Sequence, residues 1–206
     1  ASLTGEVPAT GMLPGKFTPA VATDAEIREA ALRIRPKLDT DNLGSGDPII
    51  DAKIWRKTLE EVERGWLQGP LTRSSVPGDQ PISRRFGLLQ KKGKVRLIDD
   101  FSESGVNSTV TSVESPVLHT IDVACAVLAF WFCLCNEGNV DPRLVIRTFD
   151  LTSAYRQVGL CQAGRDFACI RVFDPKDKCM KYFRCCVLPF GATRSVHTFL
   201  RLARAI

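Results

Sequence analysis

Two stretches in the first third of the chain have hydrophobic residues at helical spacing. Thr23 and Glu26 form a capping-box pattern at the start of the first stretch, and Pro36 is expected to end that helix. Asp51 is expected to cap the second helix, and Gly65 to close it. The apolar positions of the two helical faces are Ile27, Ala30, Ala31 and Ile34, and then Ile54, Trp55, Leu59 and Val62. The pattern predicts a helical N-terminal region over residues 23–83.

Later stretches have the composition of β-strands. Residues 167–173 and 179–187 flank the turn 174–177 and predict a hairpin. The apolar run 144–149 predicts a strand that ends at Asp150. A last helix is expected over residues 192–206. These elements predict an α+β fold in which helices cover one face of an antiparallel sheet.

The longest apolar segment, residues 117–134, raises the question of a membrane span. His119 and Asp122 interrupt it, and the part from Val123 to Leu134 is shorter than the roughly 20 residues that a bilayer requires. We therefore expect a buried helix and no membrane partner. The eight cysteines lack the spacing of a zinc site, so we expect reduced thiols and an intracellular location, cytoplasmic or nuclear.

The first 22 residues differ from the rest of the chain. They have no hydrophobic periodicity and carry three prolines and three glycines, at positions 8, 14 and 19 and at positions 5, 11 and 15. This composition is typical of a flexible leader, and the lack of a basic start before an apolar stretch argues against a secretory signal. The whole chain of 206 residues, 44% of them hydrophobic, is long enough to bury a core.

Basic residues concentrate in the stretch 84–96. The net charge of the chain is only +5, yet no acidic residue lies between Asp79 and Asp99. The cations of this stretch are Arg84, Arg85, Lys91, Lys92, Lys94 and Arg96. On a two-stranded ribbon they are expected to produce a positive field that suits a triphosphate or template phosphates. The alternative is that lysines guard a solvated strand edge against aggregation.

Two further features point to phosphate chemistry. Asp150 at a strand end can hold magnesium that is shared with substrate phosphates, although a capping or surface aspartate would have the same sequence context. Gly191, in the turn Leu188-Pro189-Phe190-Gly191, allows close approach of the backbone to a ligand, and the following helix presents its amino end to anions. The alternative for this turn is that proline and glycine serve only the start of the helix.

Several motifs within residues 84–199 resemble the fingers and palm of reverse transcriptases of retroelement type in their order and approximate spacing. The segments that carry the resemblance are the hairpin 84–101, Asn107, the run 149–158 (FDLTSAYRQV) and the run 188–199 (LPFGATRSVHTF). Ser102 departs from the arginine that is common in the family, and two extra residues precede Asn107. Residues 194–196 replace the family's Asn-Ala-Pro.

The resemblance implies a right-hand polymerase architecture and a set of roles. Residues 84–143 would be a fingers-like hairpin and linker helix, and residues 144–206 a partial palm. Asp150 would be the catalytic acid and magnesium ligand, and the ring of Tyr155 would lie against the sugar of the incoming nucleotide. The residues implied in nucleotide binding are Lys91, Lys92, Arg96, Leu151, Ala154, Tyr155, Phe190 and Gly191.

The implied function is RNA-directed DNA polymerase, with an RNA template, a DNA primer and deoxynucleoside triphosphates as partners. The family's paired acids would lie beyond Phe199, and residues 200–206 cannot supply them. Two magnesium ions are therefore expected only in a complete domain, and this polypeptide alone is expected to be inactive. Two alternatives stay open. One is a catalytically inactive nucleic-acid-binding remnant, and the other is an RNA-copying RNA polymerase, which a small or polar residue in place of Tyr155 would suit better.

Overall fold

The computed structural model describes residues 1–11, 14–41, 44–115, 121–141, 143 and 151–205. The first half contains β1 (Gly5–Val7), β2 (Gly15–Thr18), α1 (Asp24–Thr40), α2 (Pro48–Glu63), β3 (Leu67–Leu71), β4 (Ile82–Leu89) and β5 (Val95–Asp100). The second half contains β6 (Val110–Glu114), α3 (Ile121–Glu137), α4 (Gln162–Arg165), β7 (Cys169–Asp174), β8 (Cys179–Cys185) and α5 (Thr193–Ala205). The predicted α+β class and both predicted hairpins are confirmed.

The strands form two mixed sheets. The larger has the order β3-β8-β7-β4-β5, and the smaller has the order β1-β6-β2. The prediction of an antiparallel sheet is wrong, because β4 pairs with β7 in parallel and β1 pairs with β6 in parallel. The parallel pair in the larger sheet arises because the two antiparallel hairpins lie side by side through their first strands.

The main core lies between the larger sheet and α2. Ile54 of α2 packs with Ile170 and Val172 of β7 and with Phe183 of β8, and all four side chains are buried. Trp55 meets Phe183 edge-on, with ring centroids 5.9 Å apart. This packing fixes the end of α2 relative to the sheet, where the candidate site is built.

The predicted start of α1 is confirmed, but its predicted end is wrong. Thr23 and Glu26 form the capping box, and the helix continues past Pro36 to Thr40. Proline removes one backbone hydrogen bond from a helix, and here tertiary contacts hold the turn that follows it. Asp39 in that turn is bonded by Arg35, Arg73 and Tyr182.

Helix α2 begins earlier than predicted. Its N-cap is Asp47, whose side chain accepts hydrogen bonds from the amides of the second and third helical residues, and Pro48 occupies the first helical position. Asp51, the predicted cap, instead accepts a hydrogen bond from the amide of Ser45 at 2.8 Å. Gly65 follows the helix end with a φ of +71°, as the closing glycine was expected to do.

The flexible leader predicted over residues 1–22 is wrong for the part of it that the structure describes. Strands β1 and β2 both pair with β6, and the side chains of Leu3 and Val7 are buried. Their partner β6 lies about a hundred residues away in the sequence, so a local sequence pattern cannot predict the pairing. The predicted helical region 23–83 also contains β3 and the start of β4.

Helix α3 forms where a helix was predicted, but the prediction that it is buried is wrong. Phe130 is 66% exposed and Trp131 is 44% exposed, and Cys135 is its buried residue. Sequence hydrophobicity favours burial without saying which part of the chain would cover the helix. None of the helices among the described residues has the length and apolar character needed to cross a bilayer. The eight cysteines are free thiols, as predicted.

Candidate functional site

A cleft of about 500 Å³ opens between the end of α2, strand β5 and the turn before α5. Lys57 and Arg64 line it from the helix side, and Arg96 lines it from β5. Phe190 and Ser153 complete the opposite wall. The volume is in the range of small-ligand sites, and the walls come from segments that are distant in the sequence.

The unpaired charge that faces the cleft is positive. Side chains alternate around the start of β5, so Lys94 and Arg96 are exposed while Val95 between them is buried in the core. Within the described part of the chain, neither Lys94, Arg96 nor the exposed Arg64 has a carboxylate partner. Together with Lys57, these residues make four cations around one cleft, which favour a ligand with several negative charges.

Two acids also line the cleft, but other side chains engage both. Glu60 lies 3.7 Å from Arg56 in an exposed pair along α2. Glu61 accepts hydrogen bonds from Arg85 at 2.7 Å and from Arg156 at 2.8 Å. The acids therefore do little to neutralise the cations that face the cleft.

An aromatic cluster lies behind one wall of the cleft and contributes Phe190 to its lining. The ring of Tyr155, in the 3-10 turn Ala154–Gln157, meets Phe190 edge-on at 5.0 Å and Phe199 edge-on at 5.1 Å between centroids. The guanidinium of Arg96 lies over the Phe190 ring at 5.8 Å. Tyr155 therefore does not line the cleft, but it packs against Phe190, which does.

The turn that carries Phe190 is clamped at its glycine. Gly191 has a φ of +97°, a conformation that L side chains rarely adopt. Its carbonyl accepts a hydrogen bond from Nδ2 of Asn107 at 2.9 Å, and Oδ1 of Asn107 accepts one from the amide of Thr193 at 2.8 Å. Asn107 therefore ties the segment before β6 to the turn and to the first residue of α5.

A buried network of four charged side chains lies next to the cleft. Arg85 of β4 donates two hydrogen bonds to Asp99 of β5, at 2.6 and 3.0 Å, and a third to Glu61. Arg156 joins the other oxygen of Glu61. Burial lowers the pKa of Arg85, but the charges of Asp99 and Glu61 outweigh burial and raise it, so the guanidinium stays charged. The network contains two cations and two anions and is neutral as a whole.

This network corrects one sequence prediction. The sequence predicts Arg85 to be one of the exposed cations of residues 84–96, but its side chain is fully buried and paired. Arg84 beside it is partly exposed and lies 4.0 Å from Glu103. The sequence carried a usable signal, because counting back from the hairpin turn places Arg85 directly opposite Asp99.

The predicted nucleotide-binding residues fall into two groups. The first group lies at the cleft. Arg96 and Phe190 line it, and directly beside them in the structure or the sequence are Gly191, Tyr155 and Ala154. The structure does not bring the others to the cleft. Lys91 is exposed at the hairpin turn, and Leu151 is 45% exposed, and neither lines the cleft. The side chain of Lys92 lies outside the described part of the chain, and so does Asp150.

The described residues do not form a metal site. No group of three or more His, Cys, Asp or Glu side chains in the described ranges could hold a metal ion. Asp150, the predicted ligand, is outside those ranges. The chemistry that the described cleft can perform by itself is the binding and orientation of an anionic ligand that carries a flat ring.

The chain matches no protein-family model, and no curated protein matches it. The resemblance to reverse transcriptases therefore depends on the motifs of residues 84–199 alone. What the structure adds is their arrangement, because the hairpin with Arg96, the turn with Phe190 and the aromatic side chain of Tyr155 lie beside one cleft.

Proposed function

We propose that this chain is the fingers and part of the palm of an RNA-directed DNA polymerase, and that its cleft binds the incoming deoxynucleoside triphosphate. One observation carries the proposal. Arg96, Phe190 and Tyr155 come from three separate motifs with polymerase-like sequence. Phe190 contacts both of the others, and Arg96 and Phe190 line one cationic cleft.

Each of these residues has a part in the proposal. Arg96 offers a planar fork that can bind phosphate oxygens with two hydrogen bonds, and Lys94 adds a second positive charge. Phe190 gives the base or sugar a flat apolar surface. Tyr155 packs against Phe190. Through that ring it would limit the room beside the sugar, which favours a deoxyribose over a ribose. The exposed cations of the hairpin would also contact the phosphates of the template and primer.

Magnesium, when bound in such an enzyme, would neutralise the triphosphate and activate the primer hydroxyl. Its predicted ligand is Asp150, and the described residues by themselves do not fit the ion. The contribution of the described chain is therefore to bind the triphosphate, to orient the sugar and to hold the Phe190 turn against β5.

Nucleotide binding to the purified chain tests the proposal. A fluorescent deoxynucleoside triphosphate should bind, an unlabelled one should displace it, and the ribonucleotide should displace it less well. Arg96→Ala should weaken binding by about 10- to 100-fold, the effect of losing charge-assisted hydrogen bonds to phosphate. Lys176→Ala removes one exposed positive charge from the β7–β8 turn and should leave binding unchanged. Equal binding by Arg96→Ala and wild type would contradict the proposal.

A catalytically inactive nucleic-acid-binding remnant is the second candidate. Four cations line the cleft without a carboxylate partner within the described part of the chain, namely Lys57, Arg64, Lys94 and Arg96. The described residues contain no metal-binding group. Such a remnant would bind single-stranded RNA with a steep dependence on salt, but free triphosphates would not compete. Primer extension on an RNA template with magnesium tests catalysis separately, and extended product would exclude the remnant.

A further inference from the structure

Arg156 is a buried cation beside the candidate site, and the proposed function assigns it no task. It follows Tyr155 directly, and its side chain is 2% exposed. A buried guanidinium is costly unless other groups satisfy it. Nη2 donates to Glu61 at 2.8 Å, whereas Nε and Nη1 make no hydrogen bond within the described part of the chain.

The ring of Phe190 lies beside the guanidinium of Arg156, whose remaining donors have no acceptor among the described residues. The guanidinium carbon of Arg156 is 5.5 Å from the centroid of Phe190 and lies over its ring. A cation and the face of an aromatic ring attract each other more strongly when both are removed from water. The positions of the Arg156 guanidinium and the Phe190 ring are therefore coupled.

Arg156 is itself held in place from the opposite end of the network. Glu61 uses one carboxylate oxygen for Arg156 and the other for Arg85. Arg85 is in turn fixed by its paired hydrogen bonds to Asp99. Because these partners balance its charge, Arg156 is unsuited to contact a phosphate in the cleft, unlike the exposed Arg96.

The geometry points to Arg156 as a positioning residue that sets the place of the Phe190 ring at the cleft wall. Phe190 also lies under the guanidinium of Arg96. A ring fixed from the buried side by Arg156 would give the exposed Arg96 a defined surface from which to reach the triphosphate. This inference rests on the proposed function and deepens it, because it names a residue that acts on the nucleotide through another side chain.

Replacement of Arg156 by glutamine and by lysine tests this role. Arg156→Gln should weaken binding of a deoxynucleoside triphosphate about tenfold, as expected for strongly coupled neighbours. Arg156→Lys should recover part of that loss, because lysine keeps the charge over the ring but lacks the planar fork. Arg35→Gln is the matched control. Arg35 is also a buried arginine that is bonded to an acid and lies over an aromatic ring, but that ring is Tyr182 and not Phe190. It should cost stability and leave binding unchanged, measured where every variant is folded.

A second readout does not depend on nucleotide binding. The fluorine resonance of a trifluoromethyl-phenylalanine introduced at position 190 should shift or broaden in Arg156→Lys and stay unchanged in Arg35→Gln. In a Phe190→Leu background, Arg156→Lys should have no further effect on nucleotide affinity.

The two readouts separate the two proposals. If wild type binds no triphosphate while the resonance responds to Arg156, the proposed function fails and the positioning of Phe190 stands. If wild type binds the triphosphate, but Arg156→Lys alters neither affinity nor the resonance, the positioning role is overturned.

Discussion

The backbone carbonyl of Asp99 lies where a side chain at Gly191 would have to be. An ideal Cβ at residue 191 would be 2.0 Å from that oxygen. Strand β5 and the turn before α5 are therefore in direct backbone contact. Since the side chain of Asp99 holds Arg85, one residue links the buried network to the turn that carries Phe190.

Gly191→Ala should be among the most damaging single changes in this chain. The added methyl group meets the Asp99 carbonyl, and the φ of +97° is unfavourable for alanine. We expect a loss of roughly 3 kcal/mol or more in the free energy of unfolding, measured by urea denaturation. Gly93→Ala is the control, because Gly93 has a φ of +72° but open space around it, and it should cost only about 1–2 kcal/mol. Equal losses would show that the backbone contact does not matter.

Arg85→Met should destabilise the fold strongly, because it removes both hydrogen bonds to the buried Asp99 and leaves it only the more distant Arg156, at 3.8 Å. Removal of one member of a buried ion pair typically costs about 3–5 kcal/mol. Arg33→Met breaks an exposed pair with Glu29 and should cost less than about 1 kcal/mol. Guanidinium chloride denaturation of both variants at neutral pH measures the difference. Similar midpoints would mean that the buried network contributes nothing to stability.

Acid should remove the contribution of Asp39 to stability. Burial raises the pKa of Asp39, but hydrogen bonds from Arg73 and Tyr182 and the charge of Arg35 outweigh burial, so the pKa lies below its usual value. A carboxylate with a lowered pKa stabilises the fold fully above its unfolded pKa of about 3.9, and the contribution is lost as the pH falls through the folded pKa.

Asp39→Asn should therefore be clearly less stable than wild type at pH 6, and the gap should narrow as the pH falls below about 4. The urea midpoints of Asp39→Asn and wild type, measured from pH 6 to below pH 4, give this difference in stability. Glu29→Gln, which alters an exposed pair, should change the midpoint little at either end. A gap between Asp39→Asn and wild type that is independent of pH would contradict the linkage.

The parts of the fold that the sequence predicts well are the local ones. The capping box of α1 and the β4–β5 hairpin depend on residues within a few positions of one another, and both are confirmed. The parts that it misses depend on distant partners. Strands β1 and β2 are defined by β6, and the last turn of α1 is held by Arg73 and Tyr182.

At the candidate site, too, the sequence predicts what its motifs carry and misses contacts between distant segments. Motif spacing singles out Arg96, Tyr155 and Phe190, which the structure brings together. It gives no sign that Glu61 of α2 reaches Arg156 across 95 positions of sequence, because that contact depends on how α2 packs on the sheet. A buried charge is visible in sequence only where strand register pairs it, as with Arg85 and Asp99.

Tyr155→Ala should weaken the discrimination between deoxyribonucleotides and ribonucleotides. The change removes the edge-on contacts with Phe190 and Phe199, so the Phe190 ring loses its support beside the proposed sugar position. We expect the ratio of the two dissociation constants to fall roughly tenfold, the scale of selectivity that a change in pocket shape produces. Competition of each nucleotide against a fluorescent deoxynucleotide measures the ratio.

Tyr155→Phe is the matched control for this prediction, because phenylalanine keeps both ring contacts and should preserve the ratio. A loss of selectivity in both variants would assign the effect to the hydroxyl group of Tyr155 and not to the packing of Phe190. An unchanged ratio in Tyr155→Ala, in a protein that is still folded and still binds the triphosphate, would remove Tyr155 from the proposed nucleotide site. Because Arg96 would still bind phosphate in that case, the cleft would be a general anion site without sugar selectivity.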